Sequence, residues 1–78
     1  MTDNRDFYIS DAIRRVKLAV RKIRANSPGR NIDLQYDALK WAIVDLYRLD
    51  AVTNDVKKIV GNIYDDNYWR LLSNTYKK

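Results

Sequence analysis

Ile9, Ile13, Val16, Val20 and Ile23 follow one another at steps of four, three, four and three. Residues three and four apart stack on one side of an α-helix, so this spacing marks a single apolar helix face. Ala12 and Ala19 belong to the same stripe and widen it to roughly a third of the circumference at about 100° per residue. The pattern predicts a helix over about 7–25. Nowhere does the chain alternate apolar and polar residues over a useful length, and no two-residue hairpin turn joins two such runs. Strands are therefore not expected.

A break follows at Asn26-Ser27-Pro28-Gly29-Arg30-Asn31, where proline cannot continue a helix and Gly and Asn favour turns. A turn is expected over about 26–32. Asn31 or Asp33 is placed to cap a second helix over about 34–49. In that helix Leu34, Ala38, Leu39, Trp41, Ala42, Ile43, Val44, Leu46, Tyr47 and Leu49 cover most of the circumference, the pattern of a central, largely buried element. Any part that the monomer leaves uncovered, around Trp41 and Val44, is a candidate surface for a homodimer through this helix. Thr53 and Asp55 signal a third start, with Val56, Ile59, Val60, Ile63 and Tyr64 at helical spacing over about 54–64 despite Gly61. Asp65-Asp66-Asn67 either opens a last helix over about 66–76 or kinks one longer C-terminal helix.

The expected fold is thus all-α: a single domain, residues 1–78, forming a small bundle of three or four helices. With 46% hydrophobic residues, two Trp, six Tyr and one Phe, the chain has material for a core. It has no Cys, so a fold of 78 residues must rest on packing or self-association rather than disulfides. All ten acids are Asp, which suits helix starts, and Asp33, Asp55 and Asp66 are read as caps. The polar N-terminus, without a following uninterrupted apolar run, predicts neither a signal peptide nor a membrane span. An intracellular protein is expected, cytoplasmic or nucleoid-associated, or in the host cytoplasm if a virus or phage encodes it.

Residues 1–30 carry eight Lys or Arg and three Asp, a net +5, whereas residues 31–78 carry seven of each sign and are neutral. Charge confined to one helix is a statement about partners rather than about fold. Between Ala12 and Arg30 there are seven basic residues and no acid, so no intrahelical i,i+4 ion pair is expected to neutralise them. Arg14, Lys17, Arg21 and Arg24 form one stripe, with Arg15 and Lys22 beside it and Arg30 in the following turn. Such a stripe can meet phosphates at helical spacing and release counterions. Nucleic acid is the partner it suits best, DNA rather than RNA. The alternative is an acidic protein surface, with exposed Leu18 as an apolar anchor, which makes the chain an adaptor or inhibitor.

Sequence-reading devices are less developed. Asp50-Ala51-Val52-Thr53-Asn54 lies where a helix-turn-helix would place its turn, and Asn54, Lys57, Lys58 and Asn62 are secondary candidates for a groove, but the turn glycine is missing. The basic helix carries aromatics only at Phe7 and Tyr8, too few for stacking along a single strand. With neither His nor Cys, the commonest general bases, nucleophiles and zinc ligands are lacking, and no calcium-loop or glycine-rich phosphate-loop spacing occurs. No enzymatic activity, metal or cofactor is expected. Asp65-Asp66 is read as a helix start rather than a paired-carboxylate site.

Overall fold

The computed structural model describes residues 4–25 and 32–76. Four α-helices run in chain order, α1 (Arg5–Arg24), α2 (Ile32–Arg48), α3 (Asn54–Val60) and α4 (Asp66–Tyr76), with a 3₁₀ turn Gly61–Ile63 between the last two. No strand occurs among the described residues. Each boundary lies within two residues of the expectation except at the end of α3, where the last turn tightens into the 3₁₀ segment instead of continuing to 64. The acidic interruption is therefore a true break, and α3 and α4 are separate. Of the anticipated turn at 26–32, residues 26–31, with Arg30 and Asn31, lie outside the described residues, and Ile32 already belongs to α2.

The core is one cluster. Ala12, Val16, Ala19, Val20 and Ile23 of α1 lie buried with Leu39, Ala42, Ile43 and Leu46 of α2, closed by Val56 and Val60 of α3 and Trp69 and Leu72 of α4. The 3.6-residue period of the first stripe is thus spent entirely on this contact. α1 and α2 make the principal pair, α3 packs on α1, and α4 packs on α2. Arg5, at the start of α1, donates through Nη2 to the carbonyl of Leu49 just past the end of α2, so the pair is antiparallel. At the other end of α1, Arg24 Nη2 donates to the Val60 carbonyl at the end of α3, at 3.1 Å. Both guanidiniums thereby meet helix C-terminal carbonyls, where positive charge is favoured.

Asp50 has φ 53°, the left-handed conformation usually reserved for glycine. Its amide donates to the Tyr47 carbonyl at 3.0 Å, and the Ala51 amide donates to the Leu46 carbonyl at 2.8 Å. This is a Schellman stop to α2, formed without the glycine that the turn lacks in sequence. α3 begins at Thr53, whose hydroxyl accepts from the Val56 amide at 3.3 Å. α4 begins at Asp65, whose carboxylate accepts from the Tyr68 amide at 2.7 Å. The expected caps Asp55 and Asp66 sit instead in the first turns of their helices, where they face the positive helix end, and Asp33 does so in α2.

Aromatic residues seat α4. Tyr64 packs edge-on to Trp69, with centroids 5.1 Å apart, and lies 4.5 Å from Tyr68. Tyr47, Tyr64 and Trp69 are buried, whereas Phe7, Tyr8, Tyr36 and Trp41 are exposed, so fewer of the aromatics are core than their number suggests. α2 is buried on two sides only: Leu34 is 62% and Trp41 51% exposed, and Ala38 is also open. Val44, expected on that open side, is fully buried.

Candidate functional site

The side of α1 opposite its buried stripe carries the basic residues, and the structure divides them into two groups. Arg14 Nη2 pairs with Asp11 at 2.8 Å, one turn earlier. Arg15 bridges two carboxylates, its Nε 3.2 Å from Asp11 and its Nη2 2.7 Å from Asp45 of α2. Arg24 is committed to the Val60 carbonyl. The expectation that no local acid neutralises these cations is therefore corrected: Asp11 stands just before the acid-free window, and Asp45 arrives from another helix.

Lys17, Arg21 and Lys22 remain. All three are exposed, and none has an ion pair or hydrogen-bond partner among the described residues. Lys17 and Arg21 are four residues apart on the outward ridge, and Lys22 lies beside them. Arg14 joins this ridge despite its partner, because its side chain is 70% exposed. Leu18, 42% exposed, sits between Arg14 and Lys22 at spacings of four.

The electrostatics follow the same division. Hydrogen bonding from Arg14, together with the charges of Arg14 and Arg15, holds the Asp11 carboxyl below the usual carboxylate range, against a smaller opposing effect of desolvation. The Asp45 hydrogen bond pushes the Arg15 guanidinium up from an already high value. Each shift favours the charged form that makes the ion pair.

The secondary candidates are dispersed. α3 has only seven residues, about 10 Å of helix. Lys57 turns its ammonium over the Trp69 ring, 5.6 Å from the centroid, and Asn54, Lys58 and Asn62 are the other exposed polar residues of that group. No group of three or more metal-capable side chains comes together among the described residues, and no helix among them is long and apolar enough to cross a membrane.

A further feature escaped the sequence reading. An open groove of about 560 Å³ runs between α2, the 3₁₀ turn and α4, lined by Tyr36, Asp37, Lys40, Tyr64, Tyr68 and Leu71. Its walls come from three segments brought together only by folding, so no local spacing announces it. The Tyr64 hydroxyl is buried without a hydrogen-bond partner, although the Tyr68 phenol is close enough to influence it. Burial, with that neighbour, pushes the Tyr64 phenol far above its ordinary range.

Compared with known protein families, with curated proteins and with solved structures, the chain matches none.

Proposed function

We propose that this protein is a small nucleic-acid-binding accessory or regulatory module, acting on duplex DNA through phosphate contacts from the outer ridge of α1. The reading rests on one observation: Lys17, Arg21 and Lys22 are exposed cations that the fold leaves without partners. Unpaired cations on a rigid helix are attracted to any dense line of phosphates and gain by releasing its counterions. Arg14 adds a guanidinium able to exchange Asp11 for a phosphate oxygen, whereas Arg15 and Arg24 are held by the fold and contribute mainly to the local potential. The ridge has no interleaved aromatics, which favours a duplex backbone over a stacked single strand.

Titration of the protein into a random labelled duplex at low and at physiological salt tests this directly. Micromolar binding is expected, falling with a logarithmic salt slope of about −3 for three to four phosphate contacts. Absence of binding even at low salt overturns the proposal.

Leu18 favours a second reading, in which the same face docks on an acidic protein surface. An exposed leucine flanked by Arg14 and Lys22 is of no use to a phosphate backbone but is an anchor for a protein partner. Leu18→Ala separates the two: a protein contact weakens several-fold, and duplex binding is unchanged.

A further inference from the structure

The outer stripe of α2 is an apolar surface that neither α1 nor α4 covers. Leu34, Ala38 and Trp41 recur there at steps of four and three, and Leu34 and Trp41 keep more than half of their surface open. The Arg15–Asp45 pair fixes how α1 lies beside this stripe. Lys40 holds its ammonium 5.4 Å from the Trp41 ring centroid, which supports the indole on its flank.

Charge at the two ends of the stripe identifies what covers it. Asp37 and Arg48 are eleven residues apart, close to three whole turns, so they lie along one flank with Trp41 between them. Both are exposed, and neither has an ion-pair or hydrogen-bond partner among the described residues. Turning this helix end for end about the midpoint of residues 37 and 48 exchanges the acid with the base. The stripe is therefore complementary to its own reversed copy, whereas a uniformly charged partner would meet like charge at one end.

We propose that a second copy of this chain covers the stripe. Two α2 helices pack antiparallel about a two-fold axis near residues 42 and 43, with Trp41 against the partner's Trp41 and Arg48 of each copy against the partner's Asp37. The contact is isologous and closes on itself. The 17 residues of α2 span about 26 Å, and at a width of one interaxial spacing the stripe offers roughly 230 Å² per copy. A total of roughly 500 Å² is smaller than a permanent interface buries, so the dimer is weak and reversible. The face is separate from the Lys17–Arg21 ridge, and its failure would leave the proposed function standing.

The test is sedimentation equilibrium of the full chain over about 5 to 500 µM, a range chosen for a contact of this size. The weight-average mass is expected to rise from one chain to two. Trp41→Ser, with its helical circular dichroism retained, stays monomeric throughout. Asp37→Arg and Arg48→Asp each weaken association about tenfold, because each removes two symmetry-related pairs and adds repulsion. The chain carrying both exchanges restores opposite charges across the axis and recovers association. A monomer at the highest concentration overturns the proposal, as does a dimer indifferent to Trp41→Ser or a double exchange no better than the single ones. Asp37 and Arg48 are exposed and unpartnered, so the charge series remains decisive even if Trp41→Ser fails to fold.

Discussion

Arg15 of α1 places its Nη2 2.7 Å from Oδ2 of Asp45 on α2, across thirty residues of sequence. With its Nε on Asp11, this one guanidinium ties two turns of its own helix to the neighbouring helix. The most basic segment of the chain thus supplies part of its own anion requirement, and the cations that look equivalent in sequence are not equivalent in the fold.

Arg15→Gln is expected to lower stability by about 0.5 kcal/mol, the scale of a partly exposed pair. Both side chains are 39% exposed, so solvent screens much of the attraction. Urea unfolding would show the loss, while duplex affinity at fixed salt should change by less than about twofold because this cation is already engaged.

Replacing Lys17, Arg21 and Lys22 together by Gln should have the opposite signature. Helix propensity is nearly retained, so the thermal midpoint should hold. The logarithmic salt slope of duplex binding should fall by about 2.7 in magnitude, three phosphate contacts at 0.9 each. A triple variant that binds as tightly as the parent would remove α1 from the interface.

Asp11 gives the chain a mild acid sensitivity of predictable sign. Its folded pKa is depressed, chiefly by the hydrogen bond from Arg14, so the unfolded chain takes up its proton first as pH falls. The contribution is fully present above the ordinary carboxylate range and is lost as pH drops below about 4. Asp11→Asn should flatten that part of the stability profile, read as the difference in urea midpoint between pH 7 and pH 3.

Tyr64→Phe should stabilise the protein by about 1 kcal/mol, since it removes a buried hydroxyl that has no partner and keeps the ring packing against Trp69. The raised phenol also makes the native fold favour the neutral form. Stability from this source is present below about pH 10 and declines as pH rises beyond it, when the unfolded chain ionises. Of the six tyrosines, Tyr47 and Tyr64 should resist ultraviolet titration past that point, and the variant should lose one of the two late steps.

The two positive-φ residues among the described ones respond in opposite directions. Asp50→Gly should gain about 1 kcal/mol by relieving the Cβ at the end of α2. Gly61→Ala should lose about 1 to 3 kcal/mol, because φ is 61° and ψ −135° there and the new Cβ would lie 2.6 Å from Arg24 Nη2. Thermal midpoints of the two variants on either side of the parent would confirm both.

The helices were legible because the physics that makes them is local. The three- and four-residue steps of Ile9 to Ile23, the start at Thr53 and the acidic break before Tyr68 are all satisfied within one or two turns of chain. The site was legible only as charge. Asp11 is three and four residues before Arg14 and Arg15, so that correction was within reach of the spacing rules. Asp45 and the Val60 carbonyl were not, because they approach through tertiary packing. The uncovered stripe of α2 was foreseen around Trp41, but its limits depend on how the other helices pack against α2, and Val44 is fully buried.

The helix face that α1 offers to α2 consists of alanines, valines and isoleucines, and such side chains are nearly interchangeable knobs. A contact of this kind tolerates sliding by a turn, with one small residue taking the place of the next. Arg5 on Leu49 and Arg15 on Asp45 pin α1 to α2, Arg24 on Val60 pins it to α3, and a slip of α1 by one turn withdraws all three. These polar ties thus choose, among several alignments that the oily stripe would accept, the single one in which the chain comes to rest.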